Sequence, residues 1–137
     1  MVAGDAAARS YDSVTMVPSG NTPIADRVSW LCITSPPTAE TAGFNNINCP
    51  FGLRAQITFP TCWNGVDLYK SDQSHVQYLT EITTGSCPST HPYQIMQIFM
   101  EVLYSVNTIP QVGEGRLVLS TGDPTGYSFH ADFQNAW

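Results

Sequence analysis

Leu53-Arg-Ala-Gln-Ile-Thr-Phe59 sets Leu, Ala, Ile and Phe in strict alternation with Arg, Gln and Thr. Successive side chains of an extended chain point to opposite faces, so this period of two describes a strand with one face buried and one wet. Pro60 ends it, because a residue without an N–H cannot continue a hydrogen-bonded ladder. Cys62-Trp63 then anchors an Asn64-Gly65 turn, the strongest short hairpin signal, since both central positions of that turn favour positive φ. A polar stretch, residues 66–78, runs as a loop and ends in a short strand.

Outward from this point the pattern stays short and extended. Val28-Ser-Trp-Leu-Cys-Ile33 reads as a strand, and residues 1–23, with Pro18, Gly20 and Pro23, as a short strand and a long turn. Residues 35–49, SPPTAETAGFNNINC, form a surface loop pinned at its far end by Cys49-Pro50, which limits the entropy of closing it. In residues 94–106, QIMQIFMEVLYSV, the alternation of Ile98, Met100, Val102 and Tyr104 favours a long buried strand. A helix is the alternative there, because Met, Gln, Glu and Leu are good helix formers. Leu117-Val-Leu119 reads as a last strand. Short strands separated by turn residues predict a mainly β fold, a disulfide-stapled sandwich or barrel-like single domain with long loops spanning residues 1–137. The competing fold is α+β with one helix near 94–106.

Hydrophobic content of 42 % and aromatic content of 11 % belong to a packed chain rather than a disordered one. At 137 residues such a chain buries roughly two thirds of its unfolded surface. Charged residues make up 12 %, about half the usual share, leaving a neutral polar surface suited to water and glycans. Five basic against eleven acidic residues give a net charge of −6. Arg9, Arg27, Arg54, Lys70 and Arg116 are scattered singly, so the basic stripe that phosphate binding requires is missing and no nucleic-acid partner is expected. No apolar run approaches the about 18 residues of a membrane span, so no membrane partner is expected either. Cys32, Cys49, Cys62 and Cys87 lack the close spacing of a zinc ribbon or a redox pair. Their even number predicts two disulfides and an oxidising compartment, with every connectivity open. The first residues show no basic n-region and apolar core of a signal peptide, so the chain reads as a mature product or a fragment.

Chemistry-bearing residues gather in residues 117–137, LVLSTGDPTGYSFHADFQNAW. On a strand His130 and Asp132 project to one face, where the carboxylate would orient the imidazole for acid/base work. His75 and Asp123 are the candidate helpers of this pair. His75, His91 and His130 with Asp123 or Asp132 would also make a metal set, but their separations say nothing about convergence; no metal or cofactor is assigned. Asp67, Asp72, Asp123 and Asp132 supply carboxylates for glycoside hydrolysis, which needs a pair about 5–9 Å apart. Each of these residues has a plainer reading. Asp123 in Gly-Asp-Pro suits a turn cap, and His91 between two prolines suits a structural role. Glu101, amid Met100, Val102 and Leu103, would need Arg54 or Arg116 as a partner if buried. Tyr127, Trp137 and Trp63 are the substrate-binding candidates, by stacking on sugar rings, with Tyr69 and Tyr78 behind them; Trp30 and Trp63, beside cysteines, also suit a core. There is no nucleophile elbow, phosphate loop or H-E-x-x-H element.

Seven motifs come in one order: Met1-Val-Ala-Gly-Asp5, Trp30-x-Cys32, Asn48-Cys-Pro-x-Gly-Leu-Arg54, Phe59-Pro-x-Cys-Trp-Asn-Gly65, Ser74-His75, Cys87-Pro-x-x-His-Pro92 and Gly122-Asp-Pro-Thr-Gly-Tyr-x-Phe-His-Ala-Asp-Phe133. That order resembles the DUF1996 family of secreted fungal and actinobacterial proteins, a domain of unknown function, over essentially the whole chain. The resemblance implies secretion, disulfides and frequent company with wall- or carbohydrate-binding modules; it implies no reaction. It also implies that this chain corresponds to the second half of the family domain, whose first half has its own His-x-His element, and that relatives continue beyond Trp137. Relatives commonly carry Asp where Asn64 stands here. The expectation is a secreted protein acting on or at extracellular or cell-wall polysaccharide, with His130 and Asp132 as the acid/base pair of a glycan hydrolase. The alternatives are a non-catalytic glycan- or wall-binding module and a structural protein of the extracellular surface. Another chain is the expected stand-in for the absent half.

Overall fold

The computed structural model describes residues 1–11, 27–44, 49–109 and 117–134. Among these the chain is mainly β, with strands β1 (Val2–Gly4), β2 (Val28–Cys32), β3 (Leu53–Thr58), β4 (Cys62–Trp63), β5 (Val76–Gln77), β6 (Tyr93–Gln94), β7 (Phe99–Tyr104) and β8 (His130–Asp132). They form three antiparallel sheets, β1-β8, β2-β3-β7 and β5-β4-β6. All three are open, so the barrel-like version of the expectation does not hold. The helix considered near 94–106 does not form: β6 and β7 occupy that stretch, and a 3-10 turn at Val106–Thr108 is the one helical element described. None of the described helices is long and apolar enough to cross a membrane.

β3 is the central strand of the largest sheet, and its alternation has the expected effect. Leu53, Ala55 and Ile57 lie opposite Cys32, Trp30 and Val28 of β2, and all six are buried. Trp30, Cys32, Cys49, Leu53, Ala55 and Val106 form one core cluster, and Ala3, Val28, Ile57 and Phe59 a second. Phe129 packs against both and joins them. The other face of β3 departs from the pattern, because Gln56 and Thr58 are buried too. Gln56 Nε2 donates to Ser29 Oγ at 2.8 Å, and the Tyr78 hydroxyl donates to the Thr58 carbonyl at 2.9 Å, so the Gln56 amide and the Thr58 carbonyl both have partners.

Two disulfides, Cys32–Cys49 and Cys62–Cys87, join consecutive cysteines. The first closes the loop after β2; the second ties β4 to the segment leading into β6. β4 does pair with the next strand, β5, but residues 64–75 connect them instead of a two-residue turn. Asn64 Oδ1 accepts the N–H groups of Val66 and Asp67, both at 3.0 Å, and Gly65 takes φ +80°. The signal at Asn-Gly was that of a side-chain-capped turn. Leu117–Leu119 is not a strand. Leu119 N–H donates to the Asp123 carbonyl at 2.9 Å, which commits this stretch to the following turn, while Leu117 and Leu119 pack on the core. Of the turn expected in residues 1–23, Pro18, Gly20 and Pro23 lie outside the described residues.

Closing a loop of this size stabilises a chain by about 2–4 kcal/mol. Replacing Cys62 and Cys87 by Ser is expected to lower unfolding free energy by about that amount, measured as a lower urea midpoint. Unchanged stability would mean that the β4–β5–β6 sheet stands without its staple.

Candidate functional site

The segment after residue 120 is built around a buried carboxylate. Asp123 is 0 % exposed. Its Oδ1 accepts the Thr125 N–H at 2.8 Å and the Thr125 hydroxyl, and its Oδ2 accepts the Ser128 N–H at 2.9 Å. Burial alone would raise its pKa, but these hydrogen bonds from Thr125 and Ser128 outweigh it and hold the group at about 2. The turn so formed brings Gly126 (φ +82°) against Trp30, whose indole N–H donates to the Gly126 carbonyl at 3.1 Å. A Cβ on Gly126 would lie 2.9 Å from Phe44 N and 3.0 Å from Trp30 Nε1, so only glycine fits.

His130 follows on β8, opposite Gly4 of β1. Its Nδ1 lies 3.0 Å from the Ser128 carbonyl, which can only accept, so Nδ1 carries the proton and neutral His130 keeps its lone pair on Nε2. The buried Ser128 hydroxyl shares a hydrogen bond of 2.8 Å with Thr121. Thr121, Ser128 and His130 line one side of a cavity of about 680 Å³, whose other walls include Trp30, Phe44, Tyr104 and Phe129. Asp132 sits two residues along β8, opposite Val2, exposed and outside the lining. Among the described residues no hydrogen bond joins it to His130, and no carboxylate lines the cavity.

His75 belongs to a different neighbourhood, the 64–75 connection. It is 3 % exposed; its Nδ1 accepts the Lys70 N–H at 3.2 Å, and its ring lies 6.0 Å from that of Tyr69. Burial pushes its pKa below the ordinary 6.5, against the pull of Asp67 and Asp72. His91 fastens this loop to the turn after Cys87. Its Nε2 donates to the Ser74 carbonyl at 3.0 Å, and its Nδ1 pairs with the Thr90 hydroxyl at 2.9 Å. Both nitrogens are therefore engaged. Among the described residues no three His, Cys, Asp or Glu side chains gather in a way that would hold a metal ion. Glu101 is exposed rather than buried and pairs with Arg54 at 3.2 Å; Arg116 lies outside the described residues.

The aromatic candidates separate as well. Trp63 is half-buried, and its indole N–H donates to the Asp67 carbonyl at 2.6 Å. Tyr93, opposite it on β6, lies 5.9 Å away ring to ring and is 58 % exposed. A Cβ on Gly65 would meet the Tyr93 ring at 2.2 Å, so the bare glycine backbone is the seat of that ring. Beside it Asn64 Nδ2 donates to Asp67 Oδ2 at 2.8 Å, and Lys70 Nζ lies 3.3 Å from the same oxygen. Hydrogen bonds from Asn64 and Lys70 hold the Asp67 carboxyl below its ordinary range. Tyr93 was not picked out from the sequence, because its pairing with Trp63 depends on a β4–β6 register between strands far apart along the chain. Tyr69 is exposed, Tyr78 buried, and Tyr127 half-buried against Gly43 with its ring 6.1 Å from Tyr11. Trp137 lies outside the described residues.

Fold and sites together define a small, mainly β domain with two disulfides, a form that fits an oxidising, extracellular setting. The family model of a domain of unknown function, DUF1996, matches residues 1–137, and the chain belongs to that family. No curated protein and no solved structure matches it.

Two pH effects follow. Asp123 has a folded pKa depressed to about 2, so its contribution, about 2 kcal/mol, is full above its unfolded value of 3.8 and is lost as pH falls through about 2. Asp123→Asn is expected to lose that stability at neutral pH and to flatten the acid limb of a urea-midpoint profile; an unchanged limb would refute the assignment. His75 has a folded pKa below 6.5, so its effect has the opposite origin: the unfolded chain takes the proton first, and stability declines as pH falls below 6.5. His75→Gln should shrink the difference in urea midpoint between about pH 7.5 and about pH 5.

Proposed function

We propose that this chain is a secreted domain that binds extracellular or cell-wall glycan by contact and carries out no reaction. The observation that carries the reading is the Trp63–Tyr93 pair: two rings held side by side on a disulfide-tied sheet, with Tyr93 58 % exposed. The apolar C–H face of a sugar ring packs on such a surface, while its hydroxyls need polar partners close by. Asp67, Asn64 and Lys70 supply them at the rim of the pair, with the Asp67 carboxylate as a charged acceptor. Rigidity also favours binding, since little is left to order when the ligand arrives.

Hydrolysis has less support. It requires a proton-donating acid and a second carboxylate about 5–9 Å from it. Asp123, with both oxygens occupied and a pKa of about 2, is not a proton donor at neutral pH, and Asp132 stands outside the cavity that His130 lines. Secretion rests on the two disulfides and on the family resemblance.

The test is retention on insoluble cellulose, chitin, β-glucan, mannan and peptidoglycan. Wild type is expected to bind at least one of them, and Tyr93→Ala to bind it about tenfold more weakly, a loss of about 1.4 kcal/mol, with an unaltered urea midpoint. His130→Ala should bind as wild type does. Retention on none of these materials would end the proposal, and sugar release that disappears in His130→Ala would turn it back towards hydrolysis.

A further inference from the structure

β7 is the last strand of its sheet, and among the described residues nothing pairs with its outer side. It is long for an edge, runs in unbroken register with β3 from Thr58↔Phe99 to Leu53↔Tyr104, and contains no proline or lysine. Phe99, Met100, Leu103 and Tyr104 are all exposed, Leu103 to 68 %. The apolar surface continues to Ile109 and Val118, which line the same cavity as Tyr104. Edge strands are ordinarily shielded by charges, prolines or bulges. β7 carries a single charge, Glu101, which pairs with Arg54 of its own sheet at 3.2 Å, so the edge is lightly guarded except where two Glu101 side chains would meet.

We propose that β7 pairs antiparallel with β7 of a second copy of this chain, about a two-fold axis passing between the two Val102 residues. This goes beyond the glycan reading and does not depend on it. The register follows from the hydrogen bonds. Phe59 N–H donates to the Ile98 carbonyl at 3.0 Å, one step beyond Thr58↔Phe99, which makes the even-numbered residues of β7 the ones bonded to β3. Phe99, Glu101 and Leu103 therefore direct their N–H and C=O groups to the open side. A two-fold axis normal to the sheet must pair odd residues with odd ones to keep both core faces on one side. Centring on Glu101 would set two carboxylates directly opposite each other, which is destabilising. Centring on Val102 sets Glu101 against Leu103, Val102 against Val102 and Met100 against Tyr104, a thioether beside an aromatic ring. The strand is thus complementary to itself in one register and repelled in the next.

Sedimentation velocity over a concentration series, with cysteine crosslinking, tests this. Wild type is expected to dimerise reversibly and Leu103→Lys to sediment as a folded monomer, its fold checked by circular dichroism. In the Val102-centred register the two Val102 side chains form a close, non-hydrogen-bonded pair, so Val102→Cys should give a covalent dimer on mild oxidation, while Glu101→Cys should not. A wild type that stays monomeric, with no Val102→Cys crosslink, overturns the proposal and leaves the edge to a different polypeptide. Crosslinking through Glu101→Cys in place of Val102→Cys overturns the register.

Discussion

The indole N–H of Trp30 and the carbonyl of Gly126 meet at 3.1 Å in the interior, and most of the molecule depends on that contact. A buried donor left unpaired costs about 1–3 kcal/mol, so the core cannot close over Trp30 unless residue 126 arrives with its carbonyl correctly aimed. It arrives because Asp123 gathers the N–H groups of Thr125 and Ser128 into one turn, and because Gly126 has no side chain to hold the backbone off the ring. Phe44 completes the joint: its N–H donates to the Thr125 carbonyl at 2.7 Å, and its ring lies 4.4 Å from Trp30. Sheet, loop and C-terminal segment are each incomplete without the other two.

This dependence explains why the most reactive-looking stretch behaves as structure. An ionised carboxylate with three donors on it is an anchor, and its low pKa measures how firmly it is held. The same turn sets the Ser128 carbonyl beside His130 Nδ1, so the imidazole is oriented by the main chain rather than by Asp132. His75 and His91 are spent in an analogous way, on Lys70 N–H, Ser74 carbonyl and the Thr90 hydroxyl. The cavity lined by His130 and the exposed aromatic pair on another sheet, which the second disulfide ties to the segment before β6, are the surfaces left open.

How far the sequence could be read divides along physical lines. The alternation of 53–59 and the β-branched and aromatic content of 28–33 reported strands correctly, because burial of one face is a local property that period two records. In 94–106 the alternation of Met100, Val102 and Tyr104 likewise outweighed helix propensity, although the strand is far more exposed than expected. Leu117–Leu119 was misread because an apolar triplet does not say whether its N–H groups serve a ladder or a turn, and here Asp123 settles that. Asn64-Gly65 marked a turn but not its length, since the Asn side chain can cap a long connection as readily as a short one. Trp63 was visible as a candidate; Tyr93 and the bare backbone of Gly65 beneath it were not, because they meet only through a register between distant strands.

A low proportion of charge connects the two surfaces that the core leaves exposed. With 12 % charged residues the chain has few lysines or glutamates to place along its edges, and the ones near β7 are paired with each other. A surface sparse in charge and rich in hydroxyls, amides and rings fits the proposed glycan partner, whose hydroxyls would meet the few charged groups at the rim of the Trp63–Tyr93 pair. The same scarcity of charged residues leaves β7 lightly guarded against another strand. In a domain whose short sheets are open at their edges, the proposed glycan contact and the proposed strand pairing both draw on one choice of composition.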